Sequence, residues 1–490
     1  MKPVLVWFNN DLRLTNHPAL AAVADLEAPM IGCYILDDGS KNSWKPGAPA
    51  RWWLLKSLLT LDQQFREEGS LLVFRRGSIL ATLKDIANET NARSIFWSKR
   101  YDFFDQGDDF LQTSLKESGI HAQVFENGLL YESGKILSQS GQPFKRFTPF
   151  YRACIKNRSL IRTDAPKVSL KFSAVSIRTE SPLEWNFFRE TNSLDQSLGN
   201  YWKPGEFNAL EEFHIFCRDH ANNYIKSREE PGLNATSKLS PHINFGEISV
   251  VDIWTQIQGF NGRQDNDDLE AYLRQLFWRE FSYHLLYYWN SLPYAPLNAS
   301  FENFPWIIND DYLAAWKNGE TGYPFVDAGM RQLRSIGWMH NRARMVTASF
   351  LVKQLLVPWQ EGQAWFWESL VDANIANNAA SWQWVAGCGV DAAPYFRIFN
   401  PVLQGKRFDS NGAYIRAWVP ELRELPEQWI HQPWCAPDAL MRSAGIRLGH
   451  NYPNPIIDLD DGRRQALAAW EKLKKSNSKE LVKRAKGPKI

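Results

Sequence analysis

Apolar and polar positions follow two different rhythms along the chain. Up to about residue 130, short apolar runs at 4–8, 30–36, 71–74, 94–97 and 122–125 alternate with segments of helical period at 18–24, 50–66, 79–88 and 105–116. Unbroken apolar runs of this length, set between helical segments, read as strands covered on both faces. The alternation predicts a parallel, right-handed, doubly wound sheet of Rossmann-like type. From 131 to 205 the periodicity fades into Ser, Pro and mixed charge, notably at 167–182 and 191–205, which predicts an interdomain connector running over the surface. From 206 to 470 helical spacing dominates, most strongly over 268–290, 326–357 and 360–371. The expected fold class is an α/β domain over 1–130, then a larger all-α domain over 206–470, with a basic tail over 471–490.

A chain of 490 residues is long enough for such domains to bury sizeable cores. Its first apolar run, about six residues within MKPVLVWFNNDLR, is too short for a signal peptide or a membrane span, so a soluble, cytoplasmic protein is expected. Five scattered cysteines form no CxxC pair, which argues against a disulfide framework or a zinc site and makes a reducing compartment the default. The formal charge of +2 leaves nucleic-acid binding open, because local patches decide it rather than the sum. The tryptophans change the picture more: 15 of the 22 lie after residue 245. Most of them are expected in an aromatic core, with a few facing a planar ligand or one another.

The most informative block is DANIANNAASWQWVAGCGVDAAPYFRIFNP at 372–401. Asp372, Asn374, Asn377 and Asn378 are poor residues for a helix interior. Set between apolar and aromatic runs they are expected to be partly buried, with a polar, planar ligand as their partner in preference to water; the alternative reading is a surface loop. In GWMHNRARM at 337–345, inside a helical pattern, Arg344 lies among apolar residues and needs a carboxylate, for which Asp372 is a candidate. Gln275, Trp278 and Arg279 share one helix face, an arrangement that can stack on a base and bond its edge. In ATSKLSP at 235–241, Ser240 suits an N-cap and Pro241 the first helical position, a weak phosphate signal. Nine histidines form no metal or nucleophile set, so a hydrolase is unsupported.

Together these blocks resemble the DNA photolyase/cryptochrome flavoproteins, nearest the bacterial class I group acting on cyclobutane pyrimidine dimers (CPDs). The residues that carry the resemblance are TSKLSP at 236–241, LFWREF at 276–281, TGYPFVDAGMRQL at 321–333, GWMHNRARM at 337–345, ASFLVKQLL at 348–356, DANIANN at 372–378 and SWQWVAGCGVDAAPYFRIFNPVLQGKRFD at 381–409, with WFNNDLRL at 7–14. The resemblance implies FAD deep in the helical domain. It places Tyr224, Thr236, Ser237, Lys238, Leu239 and Ser240 at the phosphate and ribitol part, and Tyr272, Arg279, Asn341, Arg344, Asp372, Asn374 and Asn378 around the rest. Asn378 matches the position facing the flavin N5, where a neutral amide does not repel an anionic reduced flavin. Trp382, Trp359 and Trp306 match an electron-transfer chain. For a flipped-out dimer in UV-damaged DNA, Trp278 and Trp384 would form a stacking wall, with Asn341, Met345 and Gln275 at the lesion. Arg228, Arg342, Arg397 and Lys406 would meet the phosphates. The implied reaction is light-driven: excited reduced FAD donates an electron, the cyclobutane ring splits, and the electron returns.

The chain departs from the family pattern at several positions. Gln275 stands where class I photolyases usually carry Glu, Asn374 where Asp is frequent, and Asn9 where Arg is usual. Phe104 and Asp105 stand where folate-binding relatives tend to carry Asn and Glu, so a second, antenna chromophore stays open between a deazaflavin, another pigment and none. Gln275 is also found in (6-4) photoproduct photolyases, but these expect histidines where Asn341 and Met345 stand. A cryptochrome-type photoreceptor is the other alternative, although such sensors often carry a long C-terminal extension. A monomer without a membrane partner is expected.

Overall fold

The structure, a computed structural model, describes residues 2–37, 44–101, 107–162, 165, 168–173, 176–261 and 266–485. Five parallel strands, β1 (Val4–Phe8), β2 (Pro29–Leu36), β3 (Val73–Arg76), β4 (Ser94–Ser98) and β5 (His121–Phe125), lie in the order β3-β2-β1-β4-β5. Val4 pairs with Met30 on one side and with Ser94 on the other, so the chain reverses direction across the sheet at β1. The connecting helices are α1 (Pro18–Asp25), α2 (Ala48–Glu67), α3 (Ile79–Thr90) and α4 (Asp108–Glu117). All five residues of β1 are buried, because helices cover both faces. Val4, Val6 and Phe8 pack towards α1 and α2, whereas Leu5 and Trp7 pack with Ile79, Leu83, Leu111 and Leu115 of α3 and α4. This is the doubly wound sheet expected from the alternation of runs.

The boundaries differ in detail. The third strand sits two residues later than its apolar run: Arg75 and Arg76 pair with Ile35 and Leu36 of β2, whereas the Leu72 amide is taken by Asp62 Oδ1 at 3.0 Å. A two-residue strand, β6 (Lys171–Phe172), pairs with Pro29 and Met30 at the start of β2; so short an element carries no periodicity to read. Within 131–205, α5 (Phe147–Lys156) buries Phe147, Phe150 and Cys154, and Trp185, Phe188, Leu198 and Trp202 enter a core shared with α2. Irregular composition in this segment therefore accompanies buried anchors.

The helical half contains α6 (Glu206–Asp219), α7 (Asp267–Tyr288), α8 (Pro324–Ile336), α9 (Asn341–Ser349), α10 (Trp359–Ser369), α11 (Ile375–Ala386), α12 (Pro401–Phe408) and the C-terminal α13 (Leu459–Ala485). The single helix expected over 326–357 is a correction: it divides into α8 and α9. Gly337 ends α8 at φ 63°, a left-handed conformation that favours glycine, and a Cβ there would lie 2.8 Å from Val371 Cγ1. His340 is not helical but caps α9, its Nδ1 accepting from the Arg342 amide at 3.2 Å. The α9 helix then runs into a π turn over Phe350–Gln354.

Two buried carboxylates join the halves. Glu206 accepts from the Leu14 and Thr15 amides at 2.8 and 2.9 Å. Glu247 accepts from Gly205 N at 2.7 Å, His242 Nδ1 at 2.5 Å, Trp53 Nε1 at 3.2 Å and the Ser57 hydroxyl.

Candidate functional site

Faces of α7, α9 and α11 enclose a cavity of about 730 Å³, towards the upper end of small-molecule sites. The Asn-rich block is the start of α11. Asn374 is its N-cap, its side-chain oxygen accepting from the Asn377 amide at 3.1 Å. Its Nδ2 donates to Asn244 Oδ1 at 3.0 Å and to the Tyr283 hydroxyl at 2.7 Å. Asn378, one turn on, donates from Nδ2 to the Gln363 carbonyl at 2.9 Å. These partners hold two of the amides in fixed orientations along the cavity wall.

Arg344 and Asp372 form the expected pair, with Nη2 2.9 Å from Oδ2, and Arg344 Nε donates to the Met339 carbonyl at 2.8 Å. Asp372 is buried and Arg344 lines the cavity beside it. Arg279 donates to the Gly128 carbonyl at 2.7 Å and stacks over Tyr283. That bond ties the cavity to the loop after β5. Burial pushes His340 down to about 4 and the Tyr272 phenol well up, so both groups are neutral near pH 7.

The mouth is aromatic and basic. Trp278 is 37% exposed and lies parallel to Phe147, ring centroids 3.5 Å apart. Trp384 and Met345 also line the cavity, and Asn341 Nδ2 approaches Met345 Sδ at 3.8 Å. Arg228 donates from Nη2 to Gln275 Oε1 at 3.2 Å. Glu229, which the sequence reading did not single out, pairs with both Arg228 and Arg342, with Arg342 Nε at 2.8 Å.

Tyr224, Arg228, Ser237, Ser240, Tyr272, Gln275, Trp278, Arg279, Asn341, Arg342, Arg344, Met345, Asp372, Asn374, Asn378, Trp382 and Trp384 therefore meet around one cavity. Thr236, Lys238 and Leu239 do not line it: Leu239 is in the core, and Lys238 sits over the Tyr201 ring. Leu239, not Ser240, occupies the N-cap of the short helix Ser240–Asn244, and Ser240 Oγ instead accepts from Trp338 Nε1 at 3.3 Å. Arg397 and Lys406 lie outside the cavity lining, Lys406 bonded to Gln432 Oε1 at 2.7 Å. Asn244, Gln383 and Asp391 join the lining unforeseen; Asn244 follows directly on the Ser-Pro turn, the one sequence signal that pointed to it. Phe104 and Asp105, the antenna positions, lie outside the described residues.

Of the three matched tryptophans, Trp382 alone lines the cavity. Its ring lies on the backbone of α10, where a Cβ at Gly362 would be 2.1 Å from the indole. Trp359 begins that helix one turn earlier, fully buried. Trp306, half-buried, precedes Ile307, whose amide bonds the Leu356 carbonyl at 2.8 Å just ahead of α10. Exposure thus rises only at the third indole.

The donor set fits a flavin dinucleotide. Nη1 of Arg344 and Oδ1 of Asn378 make no hydrogen bond among the described residues although both side chains line the cavity. Polar atoms left over in this way are what a polar, planar ligand satisfies. No helix among the described residues is long and apolar enough to cross a membrane, and no cluster of His, Cys, Asp and Glu there could hold a metal.

Comparison with known proteins agrees with this geometry. Residues 4–169 match the sequence profile of DNA photolyase, and residues 272–472 that of the FAD binding domain of DNA photolyase. The chain is 40% identical over 475 residues to a deoxyribodipyrimidine photo-lyase of Agrobacterium fabrum, covering 97% of this chain and 98% of the relative. It is 36% identical to cryptochrome-1 of Arabidopsis thaliana, across 96% of this chain and 70% of that protein. A crystal structure of a bacterial class III photolyase from Agrobacterium tumefaciens superposes with a TM-score of 0.92 at 39% identity, over 97% of this chain and 98% of the other. With both halves matched and the cavity in place, this FAD-binding chain belongs to the DNA photolyase/cryptochrome family.

Proposed function

We propose that this chain is a light-driven DNA repair enzyme that splits cyclobutane pyrimidine dimers. One observation carries the reading: a single cavity has amides and an Arg–Asp pair inside and two indoles at its mouth, one of them 37% exposed. A buried cofactor and a base pushed out of a duplex can then share one room. FAD, when bound, supplies light absorption and one-electron chemistry.

The chain's own residues position and insulate. Tyr224, Ser237, Ser240 and Tyr272 would hold the polar part of the cofactor, and Arg344, locked by Asp372, would present its remaining N–H groups to the ring system. Asn378 keeps a neutral amide in the wall, which adds no negative charge beside an anionic reduced cofactor. Trp278 and Trp384 would stack on the lesion, with Gln275, oriented by Arg228, bonding its edge. Glu229 keeps Arg228 and Arg342 in place until phosphates compete for them. Trp306, Trp359 and Trp382 would carry reducing equivalents inwards from a half-buried end.

The test uses purified flavin-loaded protein, reduced beforehand, with DNA carrying one defined lesion. Illumination restores the two pyrimidines of a CPD and leaves a (6-4) lesion intact. Restored (6-4) bases would move the assignment to that photolyase class. An unrepaired CPD together with a light-dependent change of oligomeric state would favour the photoreceptor reading that the cryptochrome likeness keeps in view.

A further inference from the structure

Phe147 belongs to α5, in a segment to which the repair reading gives no role. It is 1% exposed and lies behind Trp278: the rings are 3.5 Å apart between centroids and only 7° from parallel. Tyr151, one turn along α5, continues the stack on Phe147 at 5.8 Å and 17°, and the Arg274 guanidinium sits over both rings at 5.5 and 5.1 Å. Phe281 closes the edge, T-shaped to Trp278 at 6.2 Å. The start of α5 is pinned from the cavity side, because Asp391 Oδ2 accepts from the Phe147 amide at 2.9 Å.

One face of Trp278 is therefore occupied, which leaves the opposite face for the cavity. An exposed indole free on both sides would rotate about χ1 and χ2. A parallel ring packed against one face, itself fixed at its own amide, removes that freedom before any ligand arrives. We propose that Phe147 is a positioning residue for substrate: it holds Trp278 at the angle at which its open face stacks on a flipped-out pyrimidine pair. The proposal rests on the reading that Trp278 touches the lesion. It assigns α5 a part in lesion discrimination.

The test compares affinity for CPD-containing and undamaged duplex of the same sequence, with concentrations taken as flavin-bound protein so that a partly unfolded variant still reports. Phe147→Leu keeps an apolar side chain but removes the parallel ring. It lowers the ratio of the two affinities about three- to tenfold, the scale of one lost aromatic stack. Affinity for undamaged DNA and photoreduction of the flavin stay at the wild-type level. Phe147→Tyr, which restores a flat ring, recovers most of the ratio. Should the ratio be unchanged in Phe147→Leu while Trp278→Ala abolishes it, Phe147 positions nothing. Should Trp278→Ala itself leave the ratio unchanged, the lesion-stacking reading fails, independently of Phe147.

Discussion

On the proposed reading, Gln275 is the residue on which the chemistry turns most sharply. Its Oε1 accepts from Arg228 Nη2 at 3.2 Å, and its Nε2 is used by the Ala271 carbonyl at 2.9 Å. Gln275→Glu turns the first contact, already charge-assisted by the guanidinium, into an ion pair, gives up the donor to Ala271, and on the proposed reading presents a carboxylate at the lesion. A charged acceptor in place of a neutral one strengthens such a contact by about 1 kcal/mol, roughly a fivefold change in an equilibrium. The expected outcome is a higher repair yield per absorbed photon, read from restored dimers against photons absorbed; an unchanged or lower yield counts against it. At this scale the sequence disclosed residue types better than partners. Asp372 for Arg344 could be named, because an arginine among apolar neighbours needs a carboxylate. Glu229 for Arg342 could not, since 113 positions separate them and nothing local marks the pairing. Lys238, Thr236 and Leu239 were matched with Ser237 and Ser240 as one motif, yet the turn points only the serines into the cavity.

At the level of elements, periodicity identified helices but not their interruptions. The helices α7 and α10 lie within two residues of their expected ranges, whereas Gly337 divides one long pattern in two. Helical spacing continued through the break because Trp338 and Met339 within it are buried, as are Ile336 before it and Ala343 after it. The π turn Phe350–Gln354 was equally silent, and it does something specific: it buries Lys353 at 1% exposure, with Nζ 3.5 Å from the Tyr395 ring centroid and bonded to the Tyr395 and Ala386 carbonyls at 3.1 and 3.3 Å. Burial pushes this lysine down from an ordinary 10.5 to about 7. Between those values the unfolded chain binds the extra proton, so this group makes the fold more stable as pH rises from about 7 towards 10. Its contribution to that slope approaches 1.4 kcal/mol per pH unit at most. Lys353→Met removes it, which denaturant unfolding at pH 7, 8 and 9 detects as a flatter dependence than wild type. A slope identical to wild type would mean that Lys353 stays charged in the fold.

For the whole molecule, the doubly wound parallel sheet and the helical half followed from the rhythm of apolar runs alone. The seam between the parts did not. It depends on buried acids whose partners come from both halves. Glu247, completely buried, accepts from Trp53 and Ser57 of α2, from Gly205 and from His242. A lone Glu between a glycine and an isoleucine gives no hint of such a role. Glu247→Ala orphans three buried donors, on Trp53, Gly205 and His242, at about 1–3 kcal/mol each before relaxation, while the Ser57 hydroxyl keeps the Trp53 carbonyl at 2.9 Å. A loss of at least about 3 kcal/mol in unfolding free energy is expected, with flavin released in the same transition; a change below 1 kcal/mol would show that the seam is held elsewhere.

On the proposed reading, one cavity hosts a closed, light-driven cycle with no net oxidation of cofactor or DNA. Its most direct test counts turnovers. Reduced protein, kept anaerobic with no added reductant, is illuminated with an excess of single-CPD oligonucleotide, and restored pyrimidine pairs are compared with reducing equivalents present. The cycle predicts many dimers split per equivalent, none in the dark, and reduced cofactor remaining at the end. Repair that stops at one dimer per equivalent, or no repair under light, would contradict it.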